Sequence, residues 1–93
     1  MSDEIRRRFR IGGRVQGVGF RAWASRAAAR LRLRGTVRNC ADGSVEVEAA
    51  GAPSAIDRFR AMLADGPSLA DVRDVVEIEP GAQPLPDTFE LTY

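Results

Sequence analysis

Along residues 5–11, Ile5, Phe9 and Ile11 fall on one parity and Arg6, Arg8 and Arg10 on the other. Alternation with a period of two predicts a strand with one face towards a core and one towards water, Arg7 being the exception on the inward parity. The period then changes. Phe20, Trp23, Ala24, Ala27, Ala28 and Leu31 recur three and four residues apart, which predicts a helix with one apolar stripe, Trp23 in the core and a stop near Gly35. Gly35–Asn39 around Val37 reads as a short strand. Asp42-Gly43 is a hairpin signal, and Val45, Val47 and Ala49 alternate with Ser44, Glu46 and Glu48 as the return strand. A second helix is expected to start near Pro53, with Ser54 or Asp57 as capping residue. It runs through Ile56, Phe59, Met62 and Leu63 and stops at Gly66-Pro67. Val72, Val76 and Ile78 predict a fourth strand, in which Asp74 on the inward parity marks a bulge. A Pro/Gly-rich loop at 80–86 leads to a closing strand at Phe89, Leu91 and Tyr93.

The element order is therefore β-α-β-β-α-β with an extra C-terminal strand. Strands with one apolar face and two amphipathic helices predict an α+β two-layer sandwich, both helices on one face of an antiparallel sheet. This resembles the split β-α-β, ferredoxin-like arrangement. Ninety-three residues, without a repeat or a linker, predict a single domain over 1–93, residues 1–5 forming a flexible N-terminal tail.

Composition narrows the chemistry. There is no histidine and one cysteine, Cys40, which removes most transition-metal sites and most histidine-based acid–base or nucleophile-activating schemes. Catalysis here must run on arginine, asparagine, carboxylates and backbone groups, with no metal or cofactor expected. No apolar run approaches the roughly 20 residues that span a bilayer. No signal-peptide-like segment precedes Arg6-Arg7-Arg8 either, so the expected compartment is the cytoplasm and no membrane partner is expected. The net charge of +1 conceals an asymmetry. Residues 1–40 carry eleven arginines against Asp3 and Glu4, and residues 41–93 carry three against eleven acids. All fourteen basic residues are arginine, a bias that reads as compositional. The basic half suits an anionic ligand, small or polymeric. Arg6, Arg8 and Arg10, on the outward parity, read as a solvated face.

The junction between the first strand and the first helix is the informative segment. A helix start has unpaired N–H groups and a partial positive charge, so Ser, Thr, Asp or Asn usually stands there. Here the helix opens on Gly17-Val18-Gly19-Phe20-Arg21. It has no capping side chain, and it adds a cation where the dipole disfavours one. The glycines let backbone donors approach a ligand closely, and a phosphate would satisfy donors, dipole and arginine together. Arg14, at the other end of the loop, is either a second phosphate contact or a solvated charge. The plainer reading of the segment is a tight turn with a solvated arginine.

Known phosphate loops do not match. Gly12 and Gly17 have the Walker A spacing, but Val18-Gly19 replaces the required Lys-Ser/Thr. Gly17-x-Gly19-x-x-Ala22 fits the loose dinucleotide fingerprint, yet a hairpin follows where parallel strands are needed. A cysteine-phosphatase loop needs arginine six residues after the cysteine, and Glu46 stands there.

Two motifs together do carry a resemblance. Gly13-Arg14-Val15-Gln16-Gly17-Val18-Gly19-Phe20-Arg21 is similar to the first motif of the acylphosphatase family. Gly35-Thr36-Val37-Arg38-Asn39, followed by Asp42-Gly43-Ser44-Val45-Glu46, is similar to the second. Gly66-Pro67 and the ending Phe89-Glu90-Leu91-Thr92-Tyr93 also resemble the family, so the likeness spans roughly residues 6–93. It implies hydrolysis of a small-molecule acyl phosphate to carboxylate and inorganic phosphate. The backbone of Val15, Gln16, Gly17, Val18, Gly19 and Phe20 would cradle the phosphate with Arg21, and Asn39 would orient the attacking water. Without the first motif, Asn39 would read as a turn residue before the hairpin.

Three positions depart from the family pattern. Thr36 stands where an aromatic residue is frequent, Arg32 where a glycine commonly ends the first helix, and Cys40 reads as an incidental thiol beside Asn39. A monomer is expected. The alternative from another class is a non-catalytic nucleic-acid-binding module of ferredoxin-like fold, suggested by the basic first half. It lacks the aromatic run between basic residues that stacks bases, so no nucleic-acid partner is expected. A third reading, an accessory domain of the large carbamoyltransferases of hydrogenase maturation, would come with zinc-binding cysteines that this sequence does not contain.

Overall fold

In the computed structural model, which describes residues 3–93, the first period-two segment forms β1, Ile5–Arg14. It is followed by α1 (Phe20–Arg30), β2 (Arg34–Asn39), β3 (Val45–Gly51), α2 (Pro53–Asp65), β4 (Asp71–Ile78) and β5 (Phe89–Leu91). The sheet order is β4-β1-β3-β2-β5. The neighbours β1·β3, β1·β4 and β2·β3 are antiparallel, as expected. The edge strand β5 instead runs parallel to β2, so the sheet is mixed. Parity along β5 could not announce this, because a strand's direction is set by the crossover that delivers it.

Register explains the two faces. Phe9 and Ile11 stand opposite Val47 and Val45, and Val37 stands opposite Val47 from the other side. With Phe20, Ala24, Ala27 and Ala28 of α1 and Ile56, Phe59 and Leu63 of α2, these residues make the core. Trp23, expected in that core, is half-buried at its border, its ring edge-on to Phe20 at 5.3 Å. The expected cap of α2 by Ser54 or Asp57 is not formed: Ala52 is the N-cap and Pro53 the first helical residue, a position where the missing proline N–H costs nothing.

The bulge expected near Asp74 is present. The β1·β4 register shifts between Gly12, opposite Asp74, and Gly13, opposite Val72, leaving Arg73 without a partner. That extra residue reverses the inward parity assigned to Val76. Val75, opposite Ile11, packs on the core, whereas Val76, opposite Arg10, is exposed. At the N-terminus, Met1 and Ser2 of the expected tail lie outside the described residues. Ile5 is already paired with Gly51 and Glu4 with Arg34, at 2.7 Å.

The face of the sheet away from the helices carries an ionic layer. Glu46 lies between Arg10 and Arg38 in the ladder and is 6% exposed. It pairs with Arg8, with Arg38 at 3.1 Å and with Arg10 at 3.4 Å. Glu48 accepts from Arg6 at 2.6 Å and from the Gly81 N–H at 2.8 Å. Burial pushes the Glu46 carboxyl up, but the hydrogen bond from Arg8, the charges of Arg38 and Arg8 and the hydrogen bond from Arg10 outweigh it and hold the carboxyl below its ordinary range. Arg6, Arg8 and Arg10 are thus partners in this layer rather than a simply solvated face.

Candidate active site

The helix start is as bare as its sequence. Gly19 is the N-cap of α1 in the left-handed conformation (φ 77°), no side chain caps the helix, and no acid lies in its first turn. The Trp23 N–H closes the first helical hydrogen bond on the Gly19 carbonyl; the N–H groups before it have no carbonyl within the helix. Gly17 is also left-handed (φ 75°). A Cβ at either glycine would meet no atom within 4 Å, so the backbone angle, not crowding, requires glycine there.

Pleat and register bring the second motif to the same place. Asn39 shares the parity of Val37, which is fully buried against the helices. It stands two residues further on, at the end of β2 opposite Val45, where the core gives way to the loop. A cavity of about 190 Å³ is lined by Val15, Gly17, Gly19, Phe20, Arg21, Ala22, Asn39 and Leu91. Arg21 and Asn39, 18 residues apart in the chain, therefore share one small concave site with the loop. Of the other loop residues expected in the cradle, Gln16 and Val18 are half-buried beside this lining. Arg14 is exposed at the end of β1 and does not line the cavity. A larger cleft, of about 540 Å³, lies between α2 and β4 among Asp57, Arg60, Arg73 and Asp74. Its charges are mixed in sign and it has no loop of convergent backbone donors.

Two sets of contacts fix the site, and both were missed from sequence. Arg21 Nη1 donates to the Thr92 carbonyl at 2.9 Å, and its guanidinium lies 4.8 Å from the centre of the Tyr93 ring. The Thr92 N–H in turn donates to the Val37 carbonyl at 2.8 Å, so the segment after β5 ties the arginine head to the strand that carries Asn39. Tyr93, expected on the inward face of a closing strand, instead lies beyond β5 and is 97% exposed. On the opposite flank, Gln16 Nε2 donates to the carbonyls of Cys40 (2.8 Å) and Ser44 (2.9 Å). Those carbonyls belong to the neck of the β2–β3 hairpin, which the Cys40 N–H closes on the Ser44 carbonyl at 2.8 Å. At the hairpin tip, the Ser44 hydroxyl donates to Asp42 at 2.6 Å and holds that carboxyl below its ordinary range. Cys40 is half-buried, its Sγ 3.9 Å from Glu46 Oε2.

Chemically, the arrangement offers backbone donors at a helix start, one guanidinium and one carboxamide around a space the size of a small anion and a water. Among the described residues no group of three or more carboxylate or cysteine side chains gathers to hold a metal ion. Residues 7–91 match the acylphosphatase family profile. The chain belongs to the acylphosphatase family. It is similar to the acylphosphatase of Nitratidesulfovibrio vulgaris strain DP4, with 46% identity over 95% of this chain and 90% of that protein. It is also similar to the acylphosphatase of Solibacter usitatus strain Ellin6076, with 51% identity over 85% of this chain and 82% of that protein. Among solved structures, the acylphosphatase of Bacillus subtilis superposes with a TM-score of 0.87 at 33% identity, covering 95% of this chain and 98% of that one. The acylphosphatase likeness thus extends over nearly the whole chain, and the α+β, ferredoxin-like expectation holds for the family's architecture.

Proposed function

We propose that this acylphosphatase-family chain hydrolyses the carboxyl–phosphate bond of acyl phosphates, with Arg21 and Asn39 as its catalytic residues. The backbone N–H groups of residues 15–20 and the Arg21 guanidinium hold the phosphoryl oxygens. The Asn39 carboxamide orients a water on the face of phosphorus opposite the leaving group. The water oxygen forms the new P–O bond, the P–O bond to the acyl group breaks, and the carboxylate departs with its electron pair. The water's proton passes to a phosphate oxygen. A carboxylate is a good leaving group that hardly needs a general acid, so positioning and charge stabilisation suffice for a loose phosphoryl-transfer transition state. A site with neither histidine nor metal ligands is adequate for this reaction. The enzyme would work as a cytoplasmic monomer without a cofactor.

The reading is carried by one observation: Arg21 and Asn39 line the same cavity as an uncapped, glycine-built helix start. The nucleic-acid alternative has less support, because Arg6, Arg8, Arg10 and Arg38 are engaged by Glu46 and Glu48. The test is hydrolysis of benzoyl phosphate by Arg21→Ala and Asn39→Ala. Both variants are expected to stay folded and to lose activity. Full activity in either would remove that residue from the mechanism.

A further inference from the structure

The catalytic reading leaves one question of geometry. The phosphate cradle sits between β1 and α1, and Asn39 sits on β2. Between β1 and β2 in the sheet lies β3, so no backbone ladder joins the two strands directly. The two are joined only through β3, whose Val45 stands opposite both Ile11 and Asn39; beyond that rung, the hairpin neck meets the cradle loop through side chains. We propose that Gln16 is a positioning residue that sets the spacing there. Its carboxamide spans from the cradle loop to the two carbonyls that close the β2–β3 hairpin, Cys40 and Ser44, so that Asn39 is held at a fixed distance from the bound phosphate.

The hydrogen-bond inventory supports the assignment. The Cys40 carbonyl already accepts from the Gly43 N–H, at 3.2 Å, and the Ser44 carbonyl from the Cys40 N–H, at 2.8 Å. A carbonyl has two lone pairs, and Gln16 fills the second position on each. Both N–H bonds of the Gln16 amide are used, one per carbonyl, which locks the amide plane against the hairpin neck. Cys40 is the residue directly after Asn39 in the chain, so the Gln16 clamp acts one peptide unit from the water-orienting carboxamide. On the other flank, Thr92 links Arg21 to Val37, two residues before Asn39. β2 is thereby held against the cradle from both sides of its functional end.

The role is distinct from phosphate binding. Gln16 spends both side-chain donors on the hairpin, so losing them leaves the loop glycines, the helix start and Arg21 in place. The hairpin neck then keeps its ladder through Val45 but loses its direct tie to the cradle loop, and Asn39 can shift relative to the bound phosphate. A misplacement of about 1 Å between reacting groups costs on the order of 100-fold in rate, whereas the affinity for the anion does not depend on where the water stands.

This inference rests on the catalytic reading above, and the experiment separates the two. Gln16→Met keeps the side-chain length and removes both donors; Gln16→Leu removes them in a shorter, equally neutral side chain and serves if the methionine variant does not fold. In either variant kcat for benzoyl phosphate is expected to fall about 10- to 100-fold, while the inhibition constant of inorganic phosphate changes less than about threefold. Gln16→Lys, which restores donors of similar reach, is expected to recover most of the loss. A kcat within about twofold of the parent in the donor-less variants overturns the proposal. So does a parallel loss of phosphate binding, which would make Gln16 a structural support of the loop. If Arg21→Ala and Asn39→Ala are inactive while the Gln16 variants are not impaired, the catalytic reading stands and only the positioning role fails.

Discussion

Arg32 offers a test of the link between sequence and local geometry that is independent of catalysis. Helix α1 ends in a paired closure: the Leu33 N–H donates to the Ala28 carbonyl and the Arg32 N–H to the Ala29 carbonyl, each at 3.0 Å. Leu33, just past the closure, is buried. This is the Schellman arrangement, and it forces the residue after the C-cap into left-handed backbone, a place usually taken by glycine. Here that residue is Arg32, at φ 58°, the one non-glycine with positive φ among the described residues. A left-handed L-residue costs about 1–2 kcal/mol. Glycine avoids that cost and gives back about 0.5–1 kcal/mol through its greater freedom in the unfolded chain. Loss of a cation at the helix C-terminus removes about 0.3–1 kcal/mol more in either neutral variant. Comparing Arg32→Gly with Arg32→Ala cancels the charge term and isolates the backbone. The glycine variant is expected to be the more stable by about 0.5–1 kcal/mol, a Tm gap of about 2–8 °C for a chain of this size. Thermal and urea unfolding followed by far-UV circular dichroism read this directly. Arg32 lies about 16 Å along the helix from Arg21, so acyl phosphate hydrolysis should not change. An alanine variant as stable as the glycine variant would show that the left-handed backbone carries no penalty, and the reasoning would fail.

Two further outcomes are expected. Gly19→Ala places a Cβ on left-handed backbone at the N-cap of α1 and should lower stability by about 1 kcal/mol, with a weaker inhibition constant for phosphate; unchanged values for both would refute the role given to that conformation. The Glu46 carboxyl is held below its ordinary range in the folded state, so its contribution to stability is present above about pH 4.3 and is lost as the pH falls through the lower folded value. Glu46→Gln should therefore flatten the acid limb of a stability–pH curve, and an unaltered acid limb would count against the ionic layer.

Local pattern made most of the fold legible, and long-range pairing made the remainder opaque. The core positions of β1, β3 and both helices follow from periods of two and 3.6, because each element buries one face. β1 was expected to stop at Ile11 and continues to Arg14, since Gly12 and Gly13 have no side chains to signal a strand but still pair with β4. Val75 and Val76 exchanged roles because one unpaired residue, Arg73, reverses parity beyond it. At the site, the uncapped helix start, Arg21 and Asn39 were readable because each breaks a local expectation or belongs to a motif. The Thr92 contact to Arg21 spans 71 residues and the Gln16 contacts span 24 and 28; no local pattern encodes them. The outward parity of Arg6, Arg8 and Arg10 was plain, but only the register placed Glu46 and Glu48 among them.

That register also bears on how a two-layer protein survives crowding. A sheet with one uncovered side presents a flat template on which another chain's sheet or strand can stack. Here the uncovered side is lined by arginines, a side chain whose stem can lie along a surface while its head stays polar, and their heads are fastened to Glu46 and Glu48. Over most of this side an intruder would have to pull guanidiniums from carboxylates, Val76 beside Arg10 being the exposed apolar exception. The side of the sheet that lacks a helical layer is thereby mainly ionic, a surface poorly matched to apolar stacking.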